Sequence, residues 1–240
     1  EEAAWLDLLH YKDHVFGGVY SQVDDARFFL AESGQHDAEA ELIASLRAFF
    51  DPQQTRAAQC RFPARLHWLD SRLAFAARLP QVSCSTFQDW RQKLNVQGIT
   101  LLFPSMYLNN PASMFGHTFL RLDSQGTAPL LNYTLSYAAA TDQTDSAVLY
   151  VYRGLSGGYP GVFNIQPYYE TVRAYGDIEH RDIWEYPLNL STTEVDQLLR
   201  HVWEIRAVSF DYYFIRENCA YRLLSLLDVA RPGMKLTQTA

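Results

Sequence analysis

One of the three cysteines in this 240-residue chain, Cys219, has the surroundings of a nucleophile. It lies in RENCAYRLLSLLDVA, where leucines at helical spacing predict a helix over residues 218–229. Asn218 is a favoured N-cap residue, because its side-chain oxygen accepts a backbone N–H of the first turn. The free N–H groups of a helix N-terminus favour an anion, so we expect the pKa of the Cys219 thiol to be lowered. A buried structural cysteine is the alternative that this segment leaves open.

A thiol nucleophile needs a general base, and the sequence favours His117 for that role. This histidine opens the alternating segment HTFLRLD directly after Gly116, whose missing side chain leaves room for a substrate. A lone histidine in a strand is more often structural. Four other histidines lie in helical or turn contexts without an adjoining glycine: His36, His67, His180 and His201.

The base in turn needs a polar group to orient it. Asn132, on the next strand of a predicted hairpin, is the first candidate. Tyr133 and Thr134 are alternates, because the sequence does not fix the strand register. For oxyanion or other supporting roles the candidates are Asn218, Ser113 and Tyr133.

Two further motifs have little chemical content. GLSGG, residues 154–158, matches the nucleophile-elbow pattern, but YPG follows at once where that motif needs a helix, so we predict a flexible Gly-rich loop. His10 and His14 have the i, i+4 spacing of metal ligands, but HYKDH supplies no glutamate, and we predict surface histidines. The sequence contains no P-loop or dinucleotide fingerprint, and we expect neither a metal nor another cofactor.

Charge and hydropathy exclude several partners. The net charge is −7 without any basic block, which argues against nucleic acid and against electrostatic docking on anionic lipid. No apolar run reaches 18 residues, so the sequence predicts no transmembrane helix. The start, EEAAWLDLLHYKDH, reads as mature protein, so we expect that a targeting segment has been removed or is not included. The end, ARPGMKLTQTA, follows a helix without a closing element, so we expect a domain of a longer chain.

Cys60 and Cys84 flank one helical segment, and two interpretations are open. They form a disulfide, leaving Cys219 free, or all three cysteines are thiols. A bridge closing a loop of this size would stabilise the fold by roughly 3 kcal/mol in an oxidising compartment, and we favour it.

The elements that would position these residues define an α+β fold. Apolar periodicity predicts helices over 36–50, 64–78 and 85–94, so residues 1–95 form a helical N-terminal region packed on the core. Residues 96–240 read as an antiparallel sheet with the Cys-bearing helix. The predicted strands begin at Gly98 and include 117–123 paired with 130–137, then 161–170 and 181–190. STTE, residues 191–194, predicts a capping box at the start of another helix.

FGHTFLRL, followed much later by ENCAYRLLSLL, resembles the N-terminal periplasmic domain family of Lnb-type bacterial lipoprotein N-acyltransferases. Further similar stretches are WLDLLHY, DDARFFLAESG, CRFPARLHWL and RDIWEYPLNLSTTEVDQLLRHVWE, so the likeness covers nearly the whole chain. The resemblance implies a circularly permuted relative of papain-like and NlpC-type cysteine enzymes, located in the periplasm or cell envelope. It assigns the nucleophile to Cys219 and the base to His117, in the permuted order. Relatives similar to lecithin retinol acyltransferase use a second histidine on the following strand, where this chain has Asn132, so the third role stays open.

Three functions follow from these observations. The favoured one is a cysteine-dependent acyl hydrolase or acyltransferase acting on lipid or lipoprotein through a thioester. The alternatives are a cysteine peptidase or amidase on cell-wall peptides, and a non-catalytic domain of a larger envelope protein. Lnb-type enzymes also carry membrane helices, so we expect any membrane association through missing parts of a longer chain. Aromatic side chains are candidates for an acyl groove, with core packing as their alternative: Tyr107, Phe115, Tyr159, Phe163, Tyr168, Tyr169, Tyr212 and Tyr213.

Overall fold

The computed structural model describes residues 2–13, 18–105, 117–141 and 146–238. Its helices are α1 (Glu2–Leu8), α2 (Ala38–Phe50), α3 (Thr55–Arg61), α4 (Pro63–Leu73), α5 (Ser85–Leu94), α6 (Ala147–Ser156), α7 (Tyr168–Val172), α8 (Thr192–Ile205) and α9 (Cys219–Ala230). Its strands are β1 (Tyr11–Asp13), β2 (Val19–Ser21), β3 (Val96–Pro104), β4 (Phe119–Ser124), β5 (Tyr133–Ala139), β6 (Tyr159–Pro167), β7 (Ile183–Pro187) and β8 (Phe210–Tyr212). The predicted α+β class is confirmed.

Six strands form one antiparallel sheet in the order β7-β3-β4-β5-β6-β8, and β1 pairs with β2 in a separate hairpin. The predicted pairing of the strands around residues 117–137 is confirmed, with Leu120 opposite Leu135 and Leu122 opposite Tyr133. The strand alternates as its sequence pattern predicts. Leu120 and Leu122 belong to the main core, whereas Phe119 packs with Leu102 and Tyr168 on a second, smaller cluster.

Two long helices cover the main face of the sheet. Helix α8 packs on β3, and α9 packs on β4 and β5. The predicted capping box of α8 is confirmed, since Ser191 Oγ accepts from Glu194 N and Glu194 Oε2 accepts from Ser191 N at 2.7 Å. Strand β4 and helix α9 are far apart in sequence but pack directly against each other in the core.

The N-terminal region is largely helical and packs on this helical layer. Helix α4 lies against α8, and α1 lies against α9. Arg65 is fully buried between Glu41 of α2 and Glu204 of α8, and Glu204 Oε1 also accepts from Arg65 N at 2.9 Å. The division of the chain at residue 95 stays a prediction.

Cys60 and Cys84 form the favoured disulfide, and Cys219 is a free, buried cysteine. The bridge ties the end of α3 to the start of α5. Trp203 of α8 donates from its indole nitrogen to the Cys60 carbonyl at 2.8 Å, so the bridged segment is also held to the core.

The prediction of a flexible loop at GLSGG is wrong. Gly154 and Ser156 lie in helix α6, which ends at Gly157 in the left-handed conformation that glycine favours, with φ of 78°. A Cβ at Gly154 would collide with the ring of Phe214, so this glycine allows close packing inside a helix.

The prediction of surface histidines is also wrong for His10, which is buried with its Nε2 atom 2.8 Å from His201 Nε2. His14 lies outside the described residues. No group of three or more His, Cys, Asp or Glu side chains suited to a metal ion occurs in the described parts of the chain. Within those parts, no helix has the length and hydropathy to cross a membrane.

Candidate active site

Helix α9 begins at Cys219, so the thiol lies on the first residue of a twelve-residue helix. The predicted N-cap is confirmed, because Asn218 Oδ1 accepts from Tyr221 N at 3.1 Å. Asn218 Nδ2 also donates to the Phe214 carbonyl at 3.5 Å, which ties the cap to the preceding loop. These contacts fix the backbone on which the thiol is held.

His117 lies two residues before the start of strand β4 and beside the thiol. Its Nδ1 atom is 3.2 Å from Cys219 Sγ, although 102 residues separate the two in sequence. The thiol itself is buried, with 6% of the residue exposed. The fold therefore brings together the nucleophile and the base that the sequence predicts, at a distance that allows proton transfer between them.

Burial reverses the predicted direction of the pKa shift of the Cys219 thiol. Burial raises the pKa of Cys219 above its ordinary value, although hydrogen bonds from the backbone N–H groups of Thr118, Ala220 and Cys219 and from the Tyr212 hydroxyl lower it. The helix N-terminus acts in the predicted direction, but desolvation of the charged thiolate outweighs it. The expectation of a lowered thiol pKa is wrong for this buried site.

The histidine shifts in the opposite direction. Burial, the largest cause, and the nearby Arg181 guanidinium lower the pKa of His117 to about 4, although Glu179 opposes them. A neutral imidazole faces a neutral thiol near pH 7. Because the S–H group is the donor in that state, Nδ1 of His117 is the acceptor.

Aromatic side chains hold the His117 ring. Tyr175 stacks on it with centroids 5.9 Å apart, and Phe119 meets it edge-on at 4.6 Å. The guanidinium of Arg181 lies 5.0 Å from the Tyr175 ring centroid, and Arg181 Nε donates to the Ser105 carbonyl at 2.5 Å. A layered stack of His117, Tyr175 and Arg181 thus fixes the plane of the imidazole.

The prediction that Asn132 lies beside His117 is wrong. Asn132 Oδ1 accepts from Ser124 N at 3.1 Å and its Nδ2 donates to Asp123 Oδ1 at 3.4 Å, at the far end of the hairpin. Asp123 is six positions from His117, a span of about 20 Å in extended backbone. The register is the reason, since it places Asn132 at the turn of the hairpin.

The other predicted supporting residues have different outcomes. Tyr133 pairs with Leu122 and Pro167, and Thr134 Oγ1 contacts Thr171 Oγ1 at 3.0 Å, so both lie away from His117. Asn218 is in place as the cap, and Ser113 lies outside the described residues.

Most described candidates for an acyl groove are core residues. The buried ones are Tyr159, Phe163, Tyr168 and Tyr212. Tyr169 is half exposed and Tyr213 is half-buried. Tyr107 and Phe115 lie outside the described residues.

Sequence reasoning missed the roles of Tyr212, Tyr175 and Arg181. Tyr212 stacks on Tyr137 with ring centroids 5.4 Å apart and hydrogen-bonds the thiol. The sequence had indicated this tyrosine only as a candidate for an acyl groove. Tyr175 and Arg181 lie in and just after a π-helical turn, Arg173–Ile178, which no periodicity in the sequence indicated. A π-helical turn is frequent at functional sites, but only the fold reveals it.

Fold and site together define an α+β protein with a cysteine–histidine pair at the start of a helix. Comparison with known families matches residues 86–240 to the Lnb N-terminal periplasmic domain. The chain therefore belongs to this family, and it is a periplasmic, cell-envelope domain. Residues 1–72 match a second family, a domain of unknown function (DUF7843). No curated protein and no solved structure matches the chain.

Proposed function

We propose that this envelope domain is a cysteine-dependent acyl hydrolase or acyltransferase. The observation that carries the proposal is the 3.2 Å separation of His117 Nδ1 and Cys219 Sγ at the start of α9. A cysteine with only a structural role would not need the neutral imidazole of His117 beside its thiol. The permuted order of His117 and Cys219 in the sequence supports a papain-like chemistry.

In the first step Cys219 Sγ attacks the carbonyl carbon of an ester or amide while its proton passes to His117 Nδ1. The carbonyl π electrons move to oxygen, and this oxyanion would be stabilised by backbone N–H groups at the helix N-terminus, including that of Cys219. When the tetrahedral intermediate collapses, the leaving oxygen or nitrogen takes the proton from Nδ1. The product is a thioester on Cys219.

In the second step an acceptor attacks the thioester carbonyl and gives its proton to His117 Nδ1. The thiolate leaves and takes that proton back, so the resting thiol and neutral imidazole are restored. Water as the acceptor gives a hydrolase, and an amine gives a transferase. Both outcomes use the same Cys–His geometry.

Lipid or lipoprotein acyl groups are the proposed substrates. Support comes from membership of the Lnb N-terminal periplasmic domain family and from the resemblance to lipoprotein N-acyltransferases. A cell-wall peptide is the alternative substrate, and it shares the thioester step.

Steady-state cleavage of p-nitrophenyl octanoate, with and without hydroxylamine as an amine acceptor, tests the proposal. Cys219→Ser and His117→Gln are each expected to lower kcat/KM by at least 100-fold, because each removes a partner of the proton transfer. Formation of octanoyl hydroxamate would identify transfer to an amine.

His67→Gln is the matched control, since His67 lies on α4 away from the pair, and it should retain wild-type kcat/KM. Wild-type rates in Cys219→Ser would refute the mechanism. Cleavage of a γ-glutamyl peptide amide at a higher kcat/KM than any acyl ester would favour the peptidase instead.

A further inference from the structure

Helix α6 presents a face of large apolar side chains to solvent. These side chains, with their exposed fractions, are Val148 (81%), Leu149 (37%), Val151 (48%), Tyr152 (67%) and Leu155 (51%). Their spacing places them along one broad side of the helix. Contiguous apolar surface of this kind on a folded domain is typical of an interaction site.

The opposite, buried side of α6 connects the helix to the candidate active site. The Phe214 backbone N–H donates to the Gly154 carbonyl at 2.9 Å, and the Phe214 ring packs where Gly154 has no side chain. Asn218 Nδ2 in turn contacts the Phe214 carbonyl, so two contacts connect α6 to the cap of the Cys219 helix. Ile215, next to Phe214, is 70% exposed and lies on the same connection.

The chemistry of α6 favours lipid over a protein partner. Its ten residues include no acidic side chain in a chain of net charge −7, and its large exposed apolar side chains are aliphatic except for Tyr152. A tyrosine among aliphatic residues suits the boundary between acyl chains and headgroups. A helix of ten residues is about 15 Å long, so its face is too small for the roughly 800 Å² per partner of a stable dimer.

We propose that the exposed face of α6 docks on the surface of a phospholipid bilayer by shallow insertion of these side chains. The inference deepens the proposed function and rests on it in one respect. A bilayer is the right place to dock only if Cys219 acts on a substrate held in lipid. Docking brings the domain that carries Cys219 to the bilayer surface, where the ester bonds of lipids lie. Insertion is driven by apolar burial, so binding does not require anionic headgroups.

Co-sedimentation with unilamellar dioleoylphosphatidylcholine vesicles tests the docking in a Cys219→Ser background, which preserves the lipid. The Val148→Glu/Tyr152→Glu variant is expected to lower the partition coefficient at least tenfold, because two carboxylates would enter the interface. Leu73→Glu/Leu131→Glu is the matched control, with the same charge change at two exposed leucines outside α6, and it should bind like the parent.

Absence of parent binding, or equal binding by the α6 variant, would overturn the docking proposal. So would sedimentation equilibrium in which the parent is a dimer that the α6 substitutions dissociate, because the face would then cover a second copy. The same α6 substitutions in the Cys219 enzyme should leave p-nitrophenyl octanoate cleavage in solution unchanged. Failed docking with intact cleavage refutes only this inference, whereas vesicle binding without any Cys219-dependent cleavage refutes only the proposed function.

Discussion

At the residue scale, burial determines the protonation of both reacting side chains. Water is the best solvent for a thiolate and for an imidazolium, so removing it raises the pKa of Cys219 and lowers that of His117. The resting pair is therefore neutral in both members. The proton moves only as the sulfur attacks, which makes His117 a general base.

This protonation state predicts the acid limb of the pH profile. His117 is a base only when neutral, so kcat/KM for p-nitrophenyl octanoate should rise through an apparent pKa of about 4 and stay level toward pH 7. The profile is measured from pH 3 to 8 with activity checked again after return to pH 7.

The residual activity of His117→Gln should lack that limb. A wild-type limb centred near 6.5, the ordinary value for histidine, would contradict a buried neutral base.

At the element scale, the N-cap of α9 positions the nucleophile. Asn218 holds the first turn through Tyr221 N and holds the preceding loop through Phe214. The cap therefore acts on stability and on the placement of the thiol together. Helix α8 offers a comparison, because its capping residue Ser191 is exposed and remote from the pair.

Asn218→Ala should lower the free energy of unfolding by about 1 kcal/mol and lower kcat/KM by at least tenfold, because the backbone N–H groups and Sγ lose their fixed position. Urea unfolding and ester cleavage measure the two effects. Ser191→Ala should cost a similar free energy and leave kcat/KM unchanged. Equal loss of kcat/KM in both variants would mean that general destabilisation is the cause.

Local signals predicted most of the elements. The capping box of α8, the apolar spacing of α9 and the alternation in HTFLRLD each depend on near neighbours, and all three features are present. The pairing of His117 with Cys219 was also predictable, because few residues can serve as a base for a thiol.

The failures depend on packing between distant segments. Predicting the position of Asn132 required the strand register, which no local signal fixes. The observed register places this residue at the turn of the hairpin. Predicting helix α6 required the knowledge that Gly154 packs against Phe214, a residue 60 positions further along the chain. The raised pKa of Cys219 required knowledge of its burial.

At the scale of the whole molecule, a buried ionic cluster joins the N-terminal helices to the layer that carries the site. Arg65 of α4 contacts Glu41 and Glu204, and all three side chains are fully excluded from solvent. Glu41 also accepts from Leu30 N and Ala31 N, so the cluster extends into the loop before α2. Removing the cation leaves two buried carboxylates unpaired.

Arg65→Met should therefore lower the free energy of unfolding by about 3–5 kcal/mol, measured by urea titration. The triple variant Arg65→Met/Glu41→Gln/Glu204→Gln should recover most of that loss, because it removes the unpaired charges and retains side chains of similar size. A triple variant no more stable than Arg65→Met would show that charge burial is not the origin of the loss.

The central claim is that Cys219 carries an acyl group during turnover. Rapid acid quenching of the protein with p-nitrophenyl octanoate, followed by intact-mass and peptide analysis, tests it most directly. We predict an octanoyl adduct on the peptide that contains Cys219, released by hydroxylamine, absent in Cys219→Ser and formed at least 100-fold more slowly in His117→Gln. An unmodified Cys219 during active turnover, or an adduct that persists in Cys219→Ser, would contradict the account.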